Sequence, residues 1–381
     1  MTPSAIEIRP VDSVAEKTTF MRLANAIYAD DPDYIAPLEF ELGARLDAAK
    51  NPALKEAPHK LWIAYKNGAP AGRIGAIINH AHLNRHQDKT GHFGFLESVD
   101  DPEVFDALIE TASAWISGQG MENIAGPYNF SVNEECGLLI DGFDAPPYVM
   151  MPHGRPYYAG HLERLGFRKA MDMHALEYYP VRQFIPAKRQ RFIEKALAKP
   201  NVSIRTLNTS DVLGDIRIII DIFNDAWSDN WGFIPFTEEQ AEHMAGELKP
   251  IIQKHNVVLC YYNDEPAAFG LVLPNINRAI HDFSGRLLPF NWAKLLWRLK
   301  VKGVNQSRMP LMGVRKKLHK KPVGAAFAYK IIDMVNAANM DHGVTHSELS
   351  WILENNESML NMLTEMGGKI YKTYRIYQRA L

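Results

Sequence analysis

A basic segment followed by small residues has the clearest chemical character in this sequence. Residues 321–326 read Lys-Pro-Val-Gly-Ala-Ala, after the apolar stretch 309–314 and before a helical pattern. Backbone N–H groups at the start of a helix form a ready anion site, and small side chains let a phosphate approach them. The sequence therefore predicts a turn that binds a diphosphate. A solvated basic loop at a helix start is the alternative.

The residues expected to form this site lie in the turn, on the strand before it, or at the start of the next helix. They are Gly313, Val314, Arg315, Lys316, Lys321, Gly324, Ala325, Ala326 and Asn356. Asn356 is equally well explained as the residue that caps its own helix.

A repeated pattern indicates which elements position this turn. Residues 61–78 and 257–273 each contain a β-rich run, a polar turn, a Pro-Ala step and a second β-rich run. The turns are Asn67-Gly68 and Asn263-Asp264, residue types that favour hairpins. In each half the hairpin is preceded by a strand and helices and followed by a strand, a helix, a strand, a short helix and a last strand. We therefore expect two related α/β halves, 1–180 and 201–381, with a connector at 181–200.

Composition limits the class of protein. A chain of 381 residues suggests two domains, and a net charge of −2 argues against nucleic acid as a partner. The two cysteines, Cys136 and Cys260, lack metal-ligand spacing, so we expect no metal and a reducing compartment. No signal-peptide pattern and no long apolar run is evident, which favours a cytoplasmic protein.

This order of elements resembles the GNAT superfamily of acyl-CoA N-acyltransferases. Their hallmark loop is Arg/Gln-x-x-Gly-x-Gly/Ala, and Lys321 stands here in the place of Arg or Gln. More closely, residues 126–144, 223–235 and 348–356 resemble the tandem-GNAT bacterial ceramide synthase-like family. The resemblance implies two mixed-sheet GNAT-like domains in tandem, the first of them degenerate.

The resemblance also implies acyl-CoA as donor substrate and an amine as acceptor, with a long-chain sphingoid base as one candidate. Backbone N–H groups of Gly313 and Val314 are then the expected oxyanion donors. Attack by an amine on a thioester needs a base. Glu348 is our first choice, and His281 and Asp282 are the other candidates.

The general acid usual in the superfamily is a tyrosine, and Leu363 occupies its place here. Tyr371 or Tyr374 is the candidate substitute, although tyrosines on strands often only pack. A thiol leaves with a pKa near ~8.5, so a general acid is helpful rather than essential.

The acceptor is expected to meet residues from both halves. In the second half the candidates are Trp227, Trp231 and Phe233, for which ordinary core packing is the alternative. In the first half they are Asn129, Asn133 and Glu134, for which a polar turn is the alternative. The first half has carboxylates at 97–101 where the anion loop would be, so we expect it not to bind CoA.

An insert at 275–307 completes the second half. Within it Trp292, Leu295, Leu296 and Leu299 recur at helical spacing with Leu288, while Lys294, Arg298 and Lys302 follow another face. We expect the apolar side to cover the core or an acyl channel. Peripheral contact with an anionic inner membrane is the alternative.

Two other functions compete with acyl transfer from CoA. One is a non-catalytic module with a GNAT fold that binds lipid or acyl carrier. The other is aminoacyl transfer, although neither a strong basic face nor a coiled arm is evident.

Overall fold

A computed structural model describes residues 6–55, 57–182 and 185–381. The described chain forms two compact units. The first comprises the described residues up to Met173, together with Ile280–Lys294 and Lys372–Leu381. The second comprises the described residues of His174–Ala279 and Leu295–Tyr371.

The elements are numbered in chain order. The strands are β1 (Ile6–Pro10), β2 (His59–Lys66), β3 (Ala69–Ile77), β4 (Thr90–Ser98), β5 (Asn123–Gly126), β6 (Leu138–Asp141), β7 (Arg168–Tyr178), β8 (Val202–Thr206), β9 (Val257–Tyr262), β10 (Glu265–Pro274), β11 (Gln306–Val314), β12 (His346–Leu353) and β13 (Lys369–Ala380). The helices are α1 (Val14–Ile27), α2 (Glu39–Arg45), α3 (His80–His86), α4 (Pro102–Gly118), α5 (Tyr157–Arg164), α6 (Ala187–Leu197), α7 (Val212–Ala226), α8 (Glu238–Leu248), α9 (Ile276–Ile280), α10 (Asn291–Trp297), α11 (Pro322–Asp341) and α12 (Glu357–Glu365).

The two units share one strand plan. Strands of the first follow the order β1-β2-β3-β4-β5-β13, with β6 also on β13, and those of the second follow β7-β12-β11-β10-β9-β8. In the first, β1 to β4 pair antiparallel and β5 joins β4 in parallel. In the second, β8 to β11 pair antiparallel and β12 joins β11 in parallel. The predicted duplication of an α/β fold is confirmed.

Both predicted hairpins are present, and their turns show why these residues form them. Asn67 and Gly68 have φ of 53° and 82°, and Asn263 and Asp264 have φ of 54° and 61°. Two successive positive φ angles match the right-handed twist of the strands, and Gly, Asn and Asp adopt them at the lowest cost.

One long helix packs on the sheet of each unit. In the first, α4 begins at Pro102, and the Asp101 carboxylate accepts the N–H groups of Glu103 and Val104. In the second, α11 begins at Pro322, close to the predicted start. Their apolar sides are fully buried, which fixes each helix on its sheet.

The compact units do not coincide with the predicted halves 1–180 and 201–381. The first unit includes Lys372–Leu381 because the end of β13 pairs with β5, as in Tyr377 opposite Gly126. It also includes Ile280–Lys294, where the Gly285 carbonyl accepts the Glu39 N–H at 2.9 Å. These pairings join residues far apart in sequence, so local patterns do not show them. The ranges 1–180 and 201–381 remain our prediction for the bounds of the two repeated halves.

Two segments differ from expectation. The predicted connector contains α6, whose Ile193 and Ala196 pack on Ala326. In the insert, α10 ends at Trp297 and is followed by a π-helical turn at Arg298–Lys302. The expected apolar side of this insert is only partly buried. Leu288, Trp292 and Leu296 are 50–75% exposed, whereas Leu295 and Leu299 are half-buried, so this side does not cover a core along its whole length. Within the described residues, no helix is both long and apolar enough to cross a membrane.

Candidate active site

The parallel pair in the second unit separates partway along its length. β11 and β12 are paired from Gln306 opposite His346 to Met309 opposite Leu349. Both strands then continue without pairing to each other within the described residues, β11 to Val314 and β12 to Leu353. At ~3.3 Å per residue, this leaves an opening about 13–17 Å long between the two strands. An extended polar chain fits such an opening, because it can bond the backbone groups that the strands no longer share.

Strand alternation divides the side chains at the base of this opening. Met309 and Leu349 belong to the apolar core under α11. Neighbouring residues on a strand face opposite sides. Arg308, Glu348 and Ser350 therefore lie on the face opposite α11.

Glu348 is the centre of a buried polar network on that face. Its side chain is fully buried, and Arg308 Nε lies 3.5 Å from its Oε1. Ser350 Oγ donates to Oε1, and the Tyr371 hydroxyl donates to Oε2. Arg308 Nε also donates to Ser350 Oγ at 2.8 Å. The carboxylate is thus charge-compensated and linked to two hydroxyl groups, each of which can relay a proton.

The four predicted catalytic residues fall in different units. Glu348 belongs to the second, and His281, Asp282 and Tyr374 belong to the first. His281 and Asp282 are exposed, and Asp282 forms an ion pair with Lys294. Tyr374 is fully buried on β13. Of the two candidate tyrosines, Tyr371 is the one that reaches Glu348.

Trp227 contacts both of the separated strands. Its indole Nε1 donates to the Met312 carbonyl on β11 at 3.0 Å, and its ring centroid is 6.1 Å from that of Trp351 on β12. Phe223 links Trp227 to Phe233, which is buried, with ring distances of 4.8 and 5.8 Å. Trp231, on the same loop, is half-buried. One side of the opening is therefore aromatic.

The turn before α11 is closed by its own backbone. A Cβ at Gly324 would lie 2.1 Å from the Leu318 carbonyl oxygen, and the Gly324 N–H donates to Lys321 O at 3.0 Å. Glycine is needed here because the loop folds onto the helix start. Ala325 is exposed, whereas Ala326 is buried beneath α6. Of the small residues in the turn, Ala325 is the one that faces solvent.

Most of the predicted basic cluster is already paired. Arg315, Lys316 and Lys317 form ion pairs with Asp221, Asp229 and Glu265, respectively. Lys320 and Lys321 are exposed, and neither forms an ion pair within the part of the chain that the structure describes. The start of α11, which carries the positive end of the helix dipole, and these two lysines stay the predicted anion site of this unit.

The remaining predicted donor-site residues have structural contacts of their own. Gly313 and Val314 end β11 inside the opening. A Cβ at Gly313 would lie 2.8 Å from the Phe269 ring, and the Val314 carbonyl is 2.7 Å from His319 Nε2. Asn356 caps α12 by accepting the Met359 N–H at 3.2 Å.

The first unit has the corresponding opening, but its own chain fills it. β4 and β5 pair only from Thr90 opposite Asn123 to His92 opposite Ala125. Beyond them the Tyr128 N–H donates to Phe93 O at 2.7 Å, and the Phe95 N–H donates to Asn129 Oδ1 at 2.8 Å.

The fit is tight, since a Cβ at Gly94 would lie 1.7 Å from the Tyr128 oxygen. The start of α4 is also occupied, because Asp101 caps it and pairs with Lys66. This opening has no room for a second strand-like chain.

The polar residues predicted for the acceptor in the first half are engaged in this filling segment. Asn129 donates to Glu135 Oε2 at 2.9 Å besides accepting from Phe95. The Asn133 N–H bonds Ser131 Oγ, and Glu134 lies 4.0 Å from Arg45. Their role in acceptor binding stays a prediction.

Sequence reasoning missed Arg308. It noted Glu97 of the first unit as one of the carboxylates at 97–101 but not that this side chain is largely buried against tyrosines. Glu97 accepts from the hydroxyls of Tyr28 and Tyr158 at 2.7 and 2.9 Å. Burial raises the pKa of Glu97, against the opposing effects of Arg73 and of the two hydroxyls. The sequence did contain a signal for both residues, since each is a charged residue within an otherwise apolar strand. A charged side chain is rarely buried without a polar or charged partner, so such a position predicts a buried polar network.

No family model matches the chain. The protein YghO of Escherichia coli (strain K12) is 41% identical over 365 residues, which cover 95% of this chain and 92% of that protein. The bacterial ceramide synthase of Caulobacter vibrioides (strain NA1000 / CB15N) is 39% identical over 382 residues, covering 100% and 99%.

Solved structures show the same fold at low identity. A tandem GNAT protein from the clavulanic acid biosynthesis pathway has a TM-score of 0.58 at 11% identity, over 99% of this chain and 98% of that one. A GCN5-related N-acetyltransferase from Sphaerobacter thermophilus has a TM-score of 0.55 at 12% identity, over 100% and 97%. The chain therefore belongs to the family of the Caulobacter bacterial ceramide synthase and the Escherichia coli YghO protein, and it is an acyltransferase with the tandem GNAT fold.

Proposed function

We propose that this protein moves an acyl group from acyl-CoA to the amino group of a long-chain, sphingoid-type amine. The observation that carries the proposal is the opening between β11 and β12, with the Glu348 network at its base. The name of the Caulobacter relative, a bacterial ceramide synthase, favours this class of acceptor. The aromatic side of the opening suits an alkyl chain, because aromatic side chains offer a large apolar surface.

The donor is proposed to enter along the separated strands. Its diphosphate would meet the start of α11 beside Lys320 and Lys321, which are exposed cations at the positive end of a helix. Its extended arm would run between the strands, with the Val314 N–H directed at the thioester oxygen. The Gly313 N–H points to β10 instead, because Arg315, two residues further on, donates to the Ala267 carbonyl of that strand and N–H groups alternate in direction along a strand. Ala325 and Asn356 are further proposed contacts of the donor, as are Arg315 and Lys316, which form ion pairs with Asp221 and Asp229.

The reaction needs one proton removed and one returned. The amine nitrogen attacks the thioester carbon, and its proton passes to Ser350 Oγ or the Tyr371 hydroxyl as that hydroxyl gives its own proton to Glu348. The tetrahedral oxyanion accepts a hydrogen bond from a backbone N–H group. The C–S bond then breaks, and the CoA thiolate takes up a proton on release.

The proposed acceptor carries a long alkyl chain, which needs apolar contacts on the enzyme. Trp227, Trp231 and Phe233 are the proposed contacts of the alkyl chain, and Trp292 is an exposed contact in the insert. We also propose a cytoplasmic enzyme that works in peripheral contact with the inner membrane, since both substrates are amphiphiles.

Charge reversal at Lys320 and Lys321 tests donor binding. Thiol release from short- and long-chain acyl-CoA is measured with a panel of amines that includes sphingoid bases. We expect K320E/K321E to raise the KM for acyl-CoA at least tenfold, because two attractive charges become repulsive. K199E is the matched control, since Lys199 is exposed and makes no ion pair among the described residues. An unchanged KM in K320E/K321E contradicts the proposed diphosphate site.

Substitution of Gly324 by a large residue is not a clean test of donor binding. Any side chain at this position meets the Leu318 carbonyl and displaces the loop. Lys320 and Lys321 change the charge of the site without that steric effect.

A further inference from the structure

The insert carries an exposed apolar surface, which we call the insert face. It consists of Leu288, Phe290, Trp292, Leu296, Trp297 and Val301, each between 50% and 78% exposed. These side chains lie within one short stretch of chain that contains α10 and the following π-helical turn. Six large exposed apolar side chains within residues 288–301 are a concentration that marks an interaction site.

Among the residues that the structure describes, the other exposed apolar side chains are more widely spaced along the chain. Phe40 lies on α2 and Phe192 on α6, each without a second large exposed apolar residue on its helix. Single exposed residues of this kind are common on protein surfaces. The insert face therefore calls for a partner that covers it.

Charge indicates what the partner is. Residues 283–332 contain no Asp or Glu, while Arg286, Lys294, Arg298, Lys300 and Lys302 all lie in or beside the insert face. Lys294 pairs with Asp282 and Arg298 donates to the Ala279 carbonyl at 2.5 Å. Lys300 and Lys302 are exposed and form no ion pair within the described residues. The partner should offer an apolar interior beneath a negatively charged layer.

Trp292 and Trp297 support the same partner. An indole has a large apolar ring and one N–H donor, and tryptophans concentrate where hydrocarbon meets water in a membrane. The long apolar stems of Lys300 and Lys302 can follow the apolar surface while their ammonium groups stay among phosphates.

We propose that the insert face docks onto an anionic lipid bilayer, with Phe290, Trp297 and Val301 among its acyl chains and Lys300 and Lys302 at its phosphate groups. The inference deepens the proposed membrane contact and in that respect rests on the proposed function. Docking would place the protein at the surface in which a long-chain amine dissolves.

Flotation of the whole protein with vesicles tests the docking. The probes are phosphatidylcholine vesicles with and without 30% phosphatidylglycerol, at low and high salt. We expect binding to the anionic vesicles only, weakened by salt. K300Q/K302Q should weaken it roughly 25-fold, since one lysine at a membrane surface contributes roughly fivefold. L296Q/W297Q should weaken it about tenfold or more through lost apolar burial. V14Q/F192Q is the matched control, since Val14 on α1 and Phe192 on α6 are exposed apolar residues outside the insert, and it should bind as the natural sequence does.

Several results would overturn the docking proposal. They are equal binding to neutral and anionic vesicles, unchanged binding of both insert variants, and a dimer in solution that L296Q/W297Q converts to a monomer. The last result would mean that a second copy covers the insert face. Thiol release with the amine panel, sphingoid bases included, is measured without vesicles and separates this test from that of the proposed function. If no amine supports thiol release while vesicle binding persists, acyl transfer to a long-chain amine is refuted and docking stands.

Discussion

Replacing Glu348 with Gln preserves the shape of the side chain but removes the charge that faces Arg308. Arg308 Nε lies 3.5 Å from Glu348 Oε1, and both side chains are buried. Removing one partner of a buried ion pair costs about 3–5 kcal/mol, because the other charge is left in a desolvated site. Unfolding free energies are commonly about 5–15 kcal/mol, so E348Q should unfold at clearly lower urea concentration.

A second substitution separates stability from catalysis. R308M in the E348Q background removes the remaining charge, and we expect it to restore most of the lost stability. Urea unfolding followed by circular dichroism measures both variants. A loss below ~1 kcal/mol in E348Q, or no recovery in the double variant, would refute the ion-pair argument.

The same double variant then tests the base. Proton transfer to a positioned group typically contributes about 10²–10⁴ in rate. We expect E348Q/R308M to be folded and to release thiol at a rate lower by that factor. If the folded double variant keeps the natural rate, Glu348 holds the strands together and takes no part in proton transfer.

Two further predictions concern packing and pH. G324A should lower the unfolding free energy by about 1–3 kcal/mol, because the added Cβ would lie 2.1 Å from the Leu318 carbonyl oxygen. An unchanged melting temperature would show that the loop relaxes freely. Burial raises the pKa of Glu97 above 4.5, so the folded protein keeps a proton that the unfolded chain has lost. The natural sequence should therefore lose stability relative to E97Q as the pH rises from about 4.5 through the folded pKa. A difference that does not vary with pH would contradict this.

Local signals explain what the sequence predicted well. The hairpin turns depend on Asn, Gly and Asp at two adjacent positions, and these residues have the expected positive φ angles. The start of α4 depends on two local effects. The Asp101 carboxylate accepts N–H groups of the first turn, and Pro102 occupies the first helical position, where its missing N–H is not needed. The place of Gly324 at the start of α11 was also visible, although its reason was not. That reason is a carbonyl six residues earlier, which only the folded loop brings close.

Contacts between distant residues explain what was missed. Several apolar side chains of the insert are exposed to solvent, although the sequence pattern was also compatible with packing on a core. Leucines at helical spacing give the same pattern whether the helix is covered by other elements or exposed. Ala326 was expected to face a phosphate, but α6 covers it from a segment about 130 residues earlier in the sequence. The sequence pattern identified Glu348 only as an acidic residue on a strand. Its connection to Arg308 and Tyr371 required the register of β11 against β12 and the position of β13.

The pairing of β13 with β5 has a consequence for synthesis on the ribosome. Tyr377 to Ala380 pair with the strand Asn123–Gly126, so the first unit lacks part of its sheet until residues 377–380 have been synthesised. Elongation proceeds at about 5–20 residues per second, so the roughly 200 residues after Met173 take on the order of 10–40 s. During that interval the edge of β5 is open to wrong partners, and a protein shortened at its carboxyl terminus would keep it open permanently.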